Sequence, residues 1–145
     1  MAKVFTSEAT GATVYVFSDD HCPPHVHARH RGEGWIARAS FSFLRNAVEL
    51  MSIQPLRKTP LLRTVNHLLD DIQGRLSDCR RCWWLIRRTT CLENQWARVP
   101  VPGRVVISDH VPGARQIDDA EYDASAGELH VSFCDGTTEA VRLQS

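Results

Sequence analysis

The sequence predicts an α+β protein, in which a small antiparallel sheet carries a long amphipathic helix and a short all-β part follows. Three observations support this fold class. β-Branched and aromatic runs stand near the N-terminus, apolar residues then recur every three or four positions, and strand-like segments return after Pro100. At 145 residues and 43% hydrophobic composition, the chain is long enough for one ordinary domain or two small ones.

The first strands are predicted between residues 12 and 39. Residues 12–17 are β-branched and aromatic and end in a turn-forming Ser-Asp-Asp, which is typical of a strand. Pro23 and Pro24 cannot donate to a sheet, so the segment after them begins a strand or lies at a sheet edge. A Gly-rich turn at residues 31–34 leads into a further strand at residues 35–39. Together these segments predict a small antiparallel meander.

Helical periodicity follows the meander. It is weak over residues 43–51 and strong beyond Thr59, where Thr59 can cap a helix and Pro60 suits its first position. The apolar stripe consists of Leu61, Val65, Leu68, Ile72, Leu76, Cys79, Trp83 and Ile86. This spacing predicts one helix of roughly 25 residues, with Gly74 and Ser77 as the places where it could break.

The segment Pro-Val-Pro-Gly at residues 100–103 ends any helix and predicts a boundary between a domain at residues 1–99 and an all-β part at residues 104–145. The two parts differ in charge. Residues 1–99 hold 14 Lys and Arg against 9 Asp and Glu, a net charge of +5, and residues 100–145 hold 3 against 8, a net charge of −5. A basic part suits a polyanion such as nucleic acid, and an acidic part suits a basic protein surface.

The acidic part is predicted to contain a strand at residues 104–108 and a hairpin made of residues 129–133 and 137–143. A three-residue connection with Gly136 left-handed would pair Phe133 with Thr137 and Leu129 with Val141. We expect this connection, because it puts the large apolar side chains of the hairpin on one face.

The histidine-rich segment around Pro23 and Pro24 is the main candidate for chemistry. On a strand that begins after Pro24, His25, His27 and Arg29 project from one face. Two imidazoles can divide proton abstraction and donation, while arginine stabilises charge on a phosphate. The candidate catalytic residues are His21, His25, His27 and Arg29.

Two other interpretations of this segment stay open. The histidines, with His21, Cys22 or His30 nearby, could hold a divalent transition metal. We expect no metal or other cofactor, because the prolines turn Cys22 away and Arg29 would repel a cation. Alternatively the segment is a rigid strand entry, in which Asp20 only orients an imidazole.

The arginine-rich end of the predicted helix is the candidate nucleic-acid surface. Arginines suit phosphate groups, and an exposed tryptophan among them could stack on a base. The candidate residues are Arg80, Arg81, Arg87, Arg88 and Trp84. The neighbouring Cys79-x-x-Cys82 has no second cysteine pair at zinc-knuckle spacing, so we expect neither redox nor metal function there and expect Cys79 to be buried.

Five scattered cysteines predict thiols and a reducing cytoplasm, because an odd number in mixed contexts does not suggest a disulfide framework. The sequence contains no apolar run of the length that a membrane helix requires. We therefore expect a cytoplasmic protein with no membrane partner.

Residues 15–27, Tyr-Val-Phe-Ser-Asp-Asp-His-Cys-Pro-Pro-His-Val-His, make the region from about residue 3 to 99 resemble the bacterial domain of unknown function 4160. Residues 115–143, and above all Leu-His-Val-Ser-Phe-Cys-Asp-Gly at 129–136, are similar to the domain of unknown function 2442. The first resemblance implies a toxin-antitoxin-like context. Both together imply a fusion of two partners. Residues 79–96 depart from the usual pattern of the first family.

The resulting hypothesis is a toxin-antitoxin-type module, in which a basic domain binds or cleaves RNA and a fused acidic part regulates it. Two alternatives come from other classes of function. One is a non-enzymatic module that interacts with a protein partner, and the other is a small metal-binding enzyme or sensor that uses the histidines.

Overall fold

The computed structural model describes residues 1–143, and these residues are mostly β. Ten strands form two antiparallel sheets of five strands each. The chain divides into two compact units. The first unit comprises Met1–Ser42 and Asn46–Arg88, and the second comprises Phe43–Arg45 and residues 89–143.

The sheet of the first unit is a meander in chain order. Its strands are β1 (Ala2–Thr6), β2 (Thr13–Val16), β3 (His25–His30), β4 (Trp35–Phe41) and β5 (Val48–Gln54). A short 3-10 helix at Leu56–Lys58 precedes helices α1 (Leu62–Gln73) and α2 (Leu76–Arg87). The predicted meander of β2, β3 and β4 is therefore confirmed, as the centre of a larger sheet.

The two faces of this sheet differ in polarity. On one face Val14 lies opposite Ala28, and Ala28 lies opposite Ala37, and all three are buried. The buried residues of the helices are Val65, Leu68, Ile72, Leu76, Cys79, Arg80 and Trp83. On the other face His27 lies between Tyr15 of β2 and Arg38 of β4. Alternation along β3 thus separates an apolar core face from a polar face.

The predicted α+β fold with one long amphipathic helix is wrong. The predicted apolar stripe is buried from Val65 to Trp83, whereas Leu61 lies outside α1 and is exposed. The helix breaks at Gly74, one of the two expected positions, and leaves two helices of 12 residues each. Glycine disfavours helix interiors, and here it forms the C-cap of α1. Helix α1 begins at Leu62 because the Thr59 hydroxyl donates instead to the Leu56 carbonyl, at 2.6 Å, and closes the 3-10 turn.

Residues 43–51 do not form the expected helix either. Their second half belongs to β5, in which Ile53 pairs with Ala37 of β4 and is buried. Hydrogen-bonded pairing with β4 outweighs the weak helical periodicity of these residues. Such long-range pairing cannot be predicted from the local order of apolar residues. This strand is one reason why the unit is richer in β-structure than the sequence predicted.

The second unit contains β6 (Trp96–Val101), β7 (Arg104–Ile107), β8 (Arg115–Asp123), β9 (Glu128–Phe133) and β10 (Thr138–Arg142), in the sheet order β10-β9-β8-β6-β7. Its buried apolar residues include Ala97, Ile117, Leu129, Val131 and Phe133. Of the segment at residues 100–103, the first two residues end β6, and Pro102 and Gly103 form the turn of the β6–β7 hairpin, where Val101 pairs with Arg104. The division between the units comes earlier, after Arg88.

The β9–β10 hairpin has the predicted three-residue connection. The Phe133 N–H donates to the Thr137 carbonyl at 2.8 Å, and Val141 pairs with Leu129. Gly136 has a φ of 88°, the left-handed conformation that glycine adopts without strain. The expectation of a shared apolar face is confirmed, since Leu129, Val131, Phe133 and Val141 are all buried.

Among the described residues, neither α1 nor α2 is long and apolar enough to cross a membrane.

Candidate functional site

Asp20, His25 and His27 form a compact cluster in the first unit, which we call the histidine-aspartate cluster. Asp20 lies in the loop between β2 and β3, and the two histidines are the first and third residues of β3. Asp20 Oδ1 lies 3.4 Å from His25 Nε2 and 3.0 Å from His27 Nε2. The three atoms that could bind a metal lie within 4.8 Å of one another.

The loop backbone fixes the Asp20 carboxylate. The Phe17 N–H donates to Asp20 Oδ2 at 2.8 Å, and the Asp20 N–H donates in return to the Phe17 carbonyl at 3.2 Å. The Arg87 guanidinium at the end of α2 donates to the Ser18 carbonyl in the same loop. One carboxylate oxygen is therefore held by the backbone, and the other faces the imidazoles.

The protonation of His25 follows from its second contact. Its Nδ1 lies 2.9 Å from the Pro23 carbonyl oxygen, which can only accept a hydrogen bond, so Nδ1 carries a proton. In the neutral ring Nε2 then presents a lone pair to Asp20 Oδ1, itself an acceptor. The contact is favourable only if His25 carries a second proton or if a cation lies between the two atoms.

Aromatic rings hold both imidazoles in place. The Phe17 ring meets the His27 ring edge-on, with ring centroids 4.6 Å apart, and the Trp83 indole lies 5.5 Å from the His25 ring. Burial is greatest at His25, which is 5% exposed, and Asp20, which is 8% exposed. The His27 side chain keeps 14% of its surface exposed, so the cluster is open to solvent mainly on the side of His27.

Only two of the four predicted catalytic residues belong to the cluster. His21 is exposed, and Arg29 is exposed on the same face of β3 as His25 and His27. His30 lies apart. Its Nδ1 accepts the Glu33 N–H at 2.9 Å, and its ring stacks on Trp35.

The predicted nucleic-acid residues of α2 do not form one surface. Arg80 is 1% exposed and donates to the Ser42 carbonyl and to Asn46 Oδ1, at 3.0 Å in each case. The placement of Arg80 on a phosphate-binding surface is therefore corrected, because its guanidinium is buried in hydrogen bonds within the unit. Arg81 and Arg88 are exposed, whereas Trp84 and Arg87 are half-buried.

The cysteines divide into two chemical classes. Cys79 is buried as expected, and burial raises the pKa of its thiol to about 12, so it stays protonated and unreactive. Burial also raises the pKa of Cys82. The expectation that all five cysteines are thiols is wrong for Cys22 and Cys91, which are disulfide-bonded.

The sequence does not predict the roles of Asp20 and Arg38 near the two histidines. Asp20 is expected only to orient an imidazole, although its position in the loop, five residues before His25, allows it to fold back as a ligand. Arg38 was not considered, because its place beside His27 depends on the β3–β4 register. The only feature of the sequence that could have pointed to Asp20 and Arg38 is that both side chains are charged.

Comparison of the chain with family models, with curated proteins and with solved structures finds no match.

Proposed function

We propose that the first unit is a metal-binding domain, in which Asp20, His25 and His27 hold a divalent transition metal and leave a coordination position open. The observation that carries the proposal is the contact between His25 Nε2 and Asp20 Oδ1 at 3.4 Å, because Nδ1 of the same ring is already committed as a donor to Pro23. In the neutral ring this contact is unfavourable, and a cation bound between the lone pair and the carboxylate would turn it into two ligand bonds.

The spacing of the donor atoms supports this reading. A tetrahedral ion with bonds of about 2.0–2.1 Å to nitrogen and oxygen places its ligand atoms roughly 3.3 Å apart. The two contacts of Asp20 Oδ1, at 3.4 Å and 3.0 Å, bracket that separation. All three donor atoms lie within 4.8 Å of one another, so binding an ion would draw the two imidazole nitrogens closer together.

The hydrogen bonds around the ligands also fit a metal site. Metal-binding histidines usually donate their second ring N–H to a carbonyl or carboxylate, as His25 does to the Pro23 carbonyl. Metal-binding carboxylates are usually held through their other oxygen, as Asp20 is held by the Phe17 N–H. These contacts orient the donor atoms before an ion binds.

Two imidazoles and one carboxylate suit zinc or ferrous iron, and three protein ligands leave room for water or substrate. This arrangement is typical of catalytic sites, because structural zinc sites usually have four protein ligands. The proposal replaces the expectation of a metal-free groove. The metal-free groove was expected because Cys22 could not complete a metal site, whereas Asp20 supplies the third ligand.

A metal-free acid–base site is the second candidate, and the 3.0 Å contact between His27 Nε2 and Asp20 Oδ1 favours it. A carboxylate that accepts one imidazole N–H fixes the tautomer of the ring and leaves the other nitrogen available as a base. This arrangement would serve the RNA cleavage that the sequence predicts. It does not account for the lone pair that His25 presents to the same oxygen.

The toxin-antitoxin role and the regulatory part of the acidic unit stay predictions, as does a protein partner. A cytoplasmic location is also still a prediction. The disulfide-bonded Cys22 and Cys91 weaken it, since disulfides are rare in a reducing cytosol.

The test is zinc binding by the full chain after treatment with a chelator, measured by isothermal titration calorimetry. We expect one zinc ion per chain, with affinity reduced roughly 100-fold or more in Asp20→Asn and His27→Gln. Asp20→Asn keeps the side-chain shape, His27→Gln keeps a polar side chain of similar length, and circular dichroism checks the fold of both. His67→Ala is the control, because His67 is exposed on α1. Absence of stoichiometric binding, or equal binding by Asp20→Asn, would overturn the proposal.

A further inference from the structure

Two arginines flank the histidine-aspartate cluster on the polar face of the first sheet. Arg38 of β4 lies directly opposite His27, and Arg29 follows His27 by two residues on β3. Directly opposite residues have Cβ atoms about 4.5–5.5 Å apart, and residues on a diagonal are still within reach of long side chains. Both guanidinium groups can therefore reach the space beside His27, the member of the cluster that is open to solvent.

Nothing within the described chain neutralises this arginine pair. Arg29 and Arg38 are both exposed, and neither forms an ion pair with a carboxylate among residues 1–143. The Arg38 Nε donates to Ser52 Oγ of β5 at 3.1 Å, on the side of β4 away from His27, so an anion bound beside His27 must draw the Arg38 head group out of this hydrogen bond. The inference depends on these two exposed cations, which form no ion pair among residues 1–143 and lie on the same sheet face as His27.

The electrostatics favour an anion at this place once the cluster holds a metal. Asp20 contributes one negative charge and a divalent ion two positive charges, so the loaded cluster adds to the field of the arginines instead of opposing it. The whole first unit holds 12 Lys and Arg against 8 Asp and Glu, a net charge of +4. Guanidinium groups bind phosphate oxygens in a bidentate manner, which a carboxylate-rich surface would prevent.

We propose that Arg29 and Arg38 bind the phosphodiester backbone of a single-stranded nucleic acid, for which RNA is the probe, beside the metal held by Asp20, His25 and His27. The inference rests on the proposed metal site and names its substrate class. An extended polymer suits the site because the arginines lie along an exposed sheet face, beside residues that are also exposed, such as Ile36 and Gln54. Successive phosphates of one strand can then meet the two guanidinium groups and the metal in turn.

The test is binding of a fluorescently labelled single-stranded RNA oligonucleotide to the zinc-loaded full chain, measured by anisotropy. We expect Arg29→Ala and Arg38→Ala each to weaken RNA binding roughly tenfold and to lower its salt dependence. Arg63→Ala removes the same charge from an exposed position on α1 and should change binding much less. Zinc affinity, titrated separately, should not fall in either arginine variant, because removing a nearby positive charge does not weaken binding of a cation.

The outcomes separate the two proposals. If zinc binds but RNA binds both arginine variants as tightly as the Arg63→Ala control, the RNA inference fails and the metal site stands. It also fails if polyglutamate competes as effectively as RNA, because the face then recognises acidic protein. If zinc does not bind, the metal proposal fails, and with it the placement of the nucleic acid beside a metal. RNA binding that depends on both arginines and is strengthened by zinc supports the inference.

Discussion

The two units are built alike but use buried polar residues differently. Each has a five-stranded antiparallel sheet. Among residues 1–143 the buried polar or charged residues of the first unit are Ser7, Asp20, His25 and Arg80, whereas the second unit buries only Thr90. The units also differ in charge, because the second holds 5 Lys and Arg against 9 Asp and Glu, a net charge of −4 against +4. The charge asymmetry predicted from the sequence therefore holds at the boundary that the structure defines.

Burial of a polar group costs free energy unless hydrogen bonds replace those that water made. In the second unit the Thr90 hydroxyl meets this requirement with one bond to the Ala120 carbonyl, at 3.2 Å. Arg80 is likewise satisfied by hydrogen bonds within the first unit. The histidine-aspartate cluster differs from both, because one of its contacts joins a lone pair to a carboxylate oxygen. This contact needs either a second proton on His25 or a bound cation, and that requirement indicates function more strongly than burial alone.

The largest expected effect comes from Trp83, which is fully buried and packs against both His25 and Phe41. Trp83→Ala should lower the free energy of unfolding by about 3–5 kcal/mol, measured by urea denaturation. The more conservative Trp83→Phe should keep the fold and weaken zinc binding, because the ring beside His25 shrinks. Phe133→Ala is the matched control in the second unit. It should cost a similar free energy and leave zinc affinity unchanged while the first unit stays folded.

Unchanged zinc affinity in Trp83→Phe would show that the indole does not orient His25. If zinc affinity is also unchanged in Trp83→Ala, at a temperature where that variant is folded, then zinc binding by the cluster does not depend on core packing at Trp83.

Features fixed by neighbouring residues could be predicted from the sequence, and features fixed by distant ones could not. The alternation after Pro24 and the glycine of the β9–β10 connection are local, and both predictions agree with the structure. The apolar stripe correctly identified helical residues, but it could not show that Gly74 would divide them. Strand β5 was missed because its pairing with β4 outweighs a weak local pattern.

The candidate site shows the same limit. His25 and His27 were recognised because they are adjacent in sequence on one strand. Asp20 joins them only when the loop after β2 folds back, and Arg38 joins only through cross-strand register. Tertiary structure therefore brings Asp20 and Arg38 to the two histidines, and the spacing of residues along the chain does not predict this.

The two units also differ in the backbone conformation of one glycine each, Gly74 and Gly136. Gly136 of the second unit has a φ of 88°, whereas Gly74 of the first unit has a φ of −70°, which any residue adopts. Gly136→Ala should destabilise the protein by about 1 kcal/mol because alanine is strained in the left-handed region. Gly74→Ala should stabilise it by about 0.4–1 kcal/mol by restricting the unfolded chain, since its Cβ would meet only ordinary contacts at 3.6 Å. Thermal unfolding of both variants measures the difference, and equal shifts in one direction would contradict it.

The smallest effect concerns pH and belongs to the second unit, where Asp123, which is half-buried, and Asp135, which is exposed, close the turns beside β9. Asp123 accepts hydrogen bonds from Ser125 and Ala126, and Asp135 accepts hydrogen bonds from Thr137, and these bonds lower the pKa of both carboxyl groups. A lowered folded-state pKa means that the stabilisation is present above the pKa of the unfolded chain and is lost as the pH falls through the folded-state value.

Asp123→Ala should therefore lower the melting temperature slightly at neutral pH, and the difference from the unsubstituted protein should shrink in acid. Asp109→Ala, at an exposed position, is the control and should show no such pH dependence. If the effect of Asp123→Ala persists at a pH where the carboxyl group is protonated, the turn is stabilised by its geometry and not by the ionised side chain.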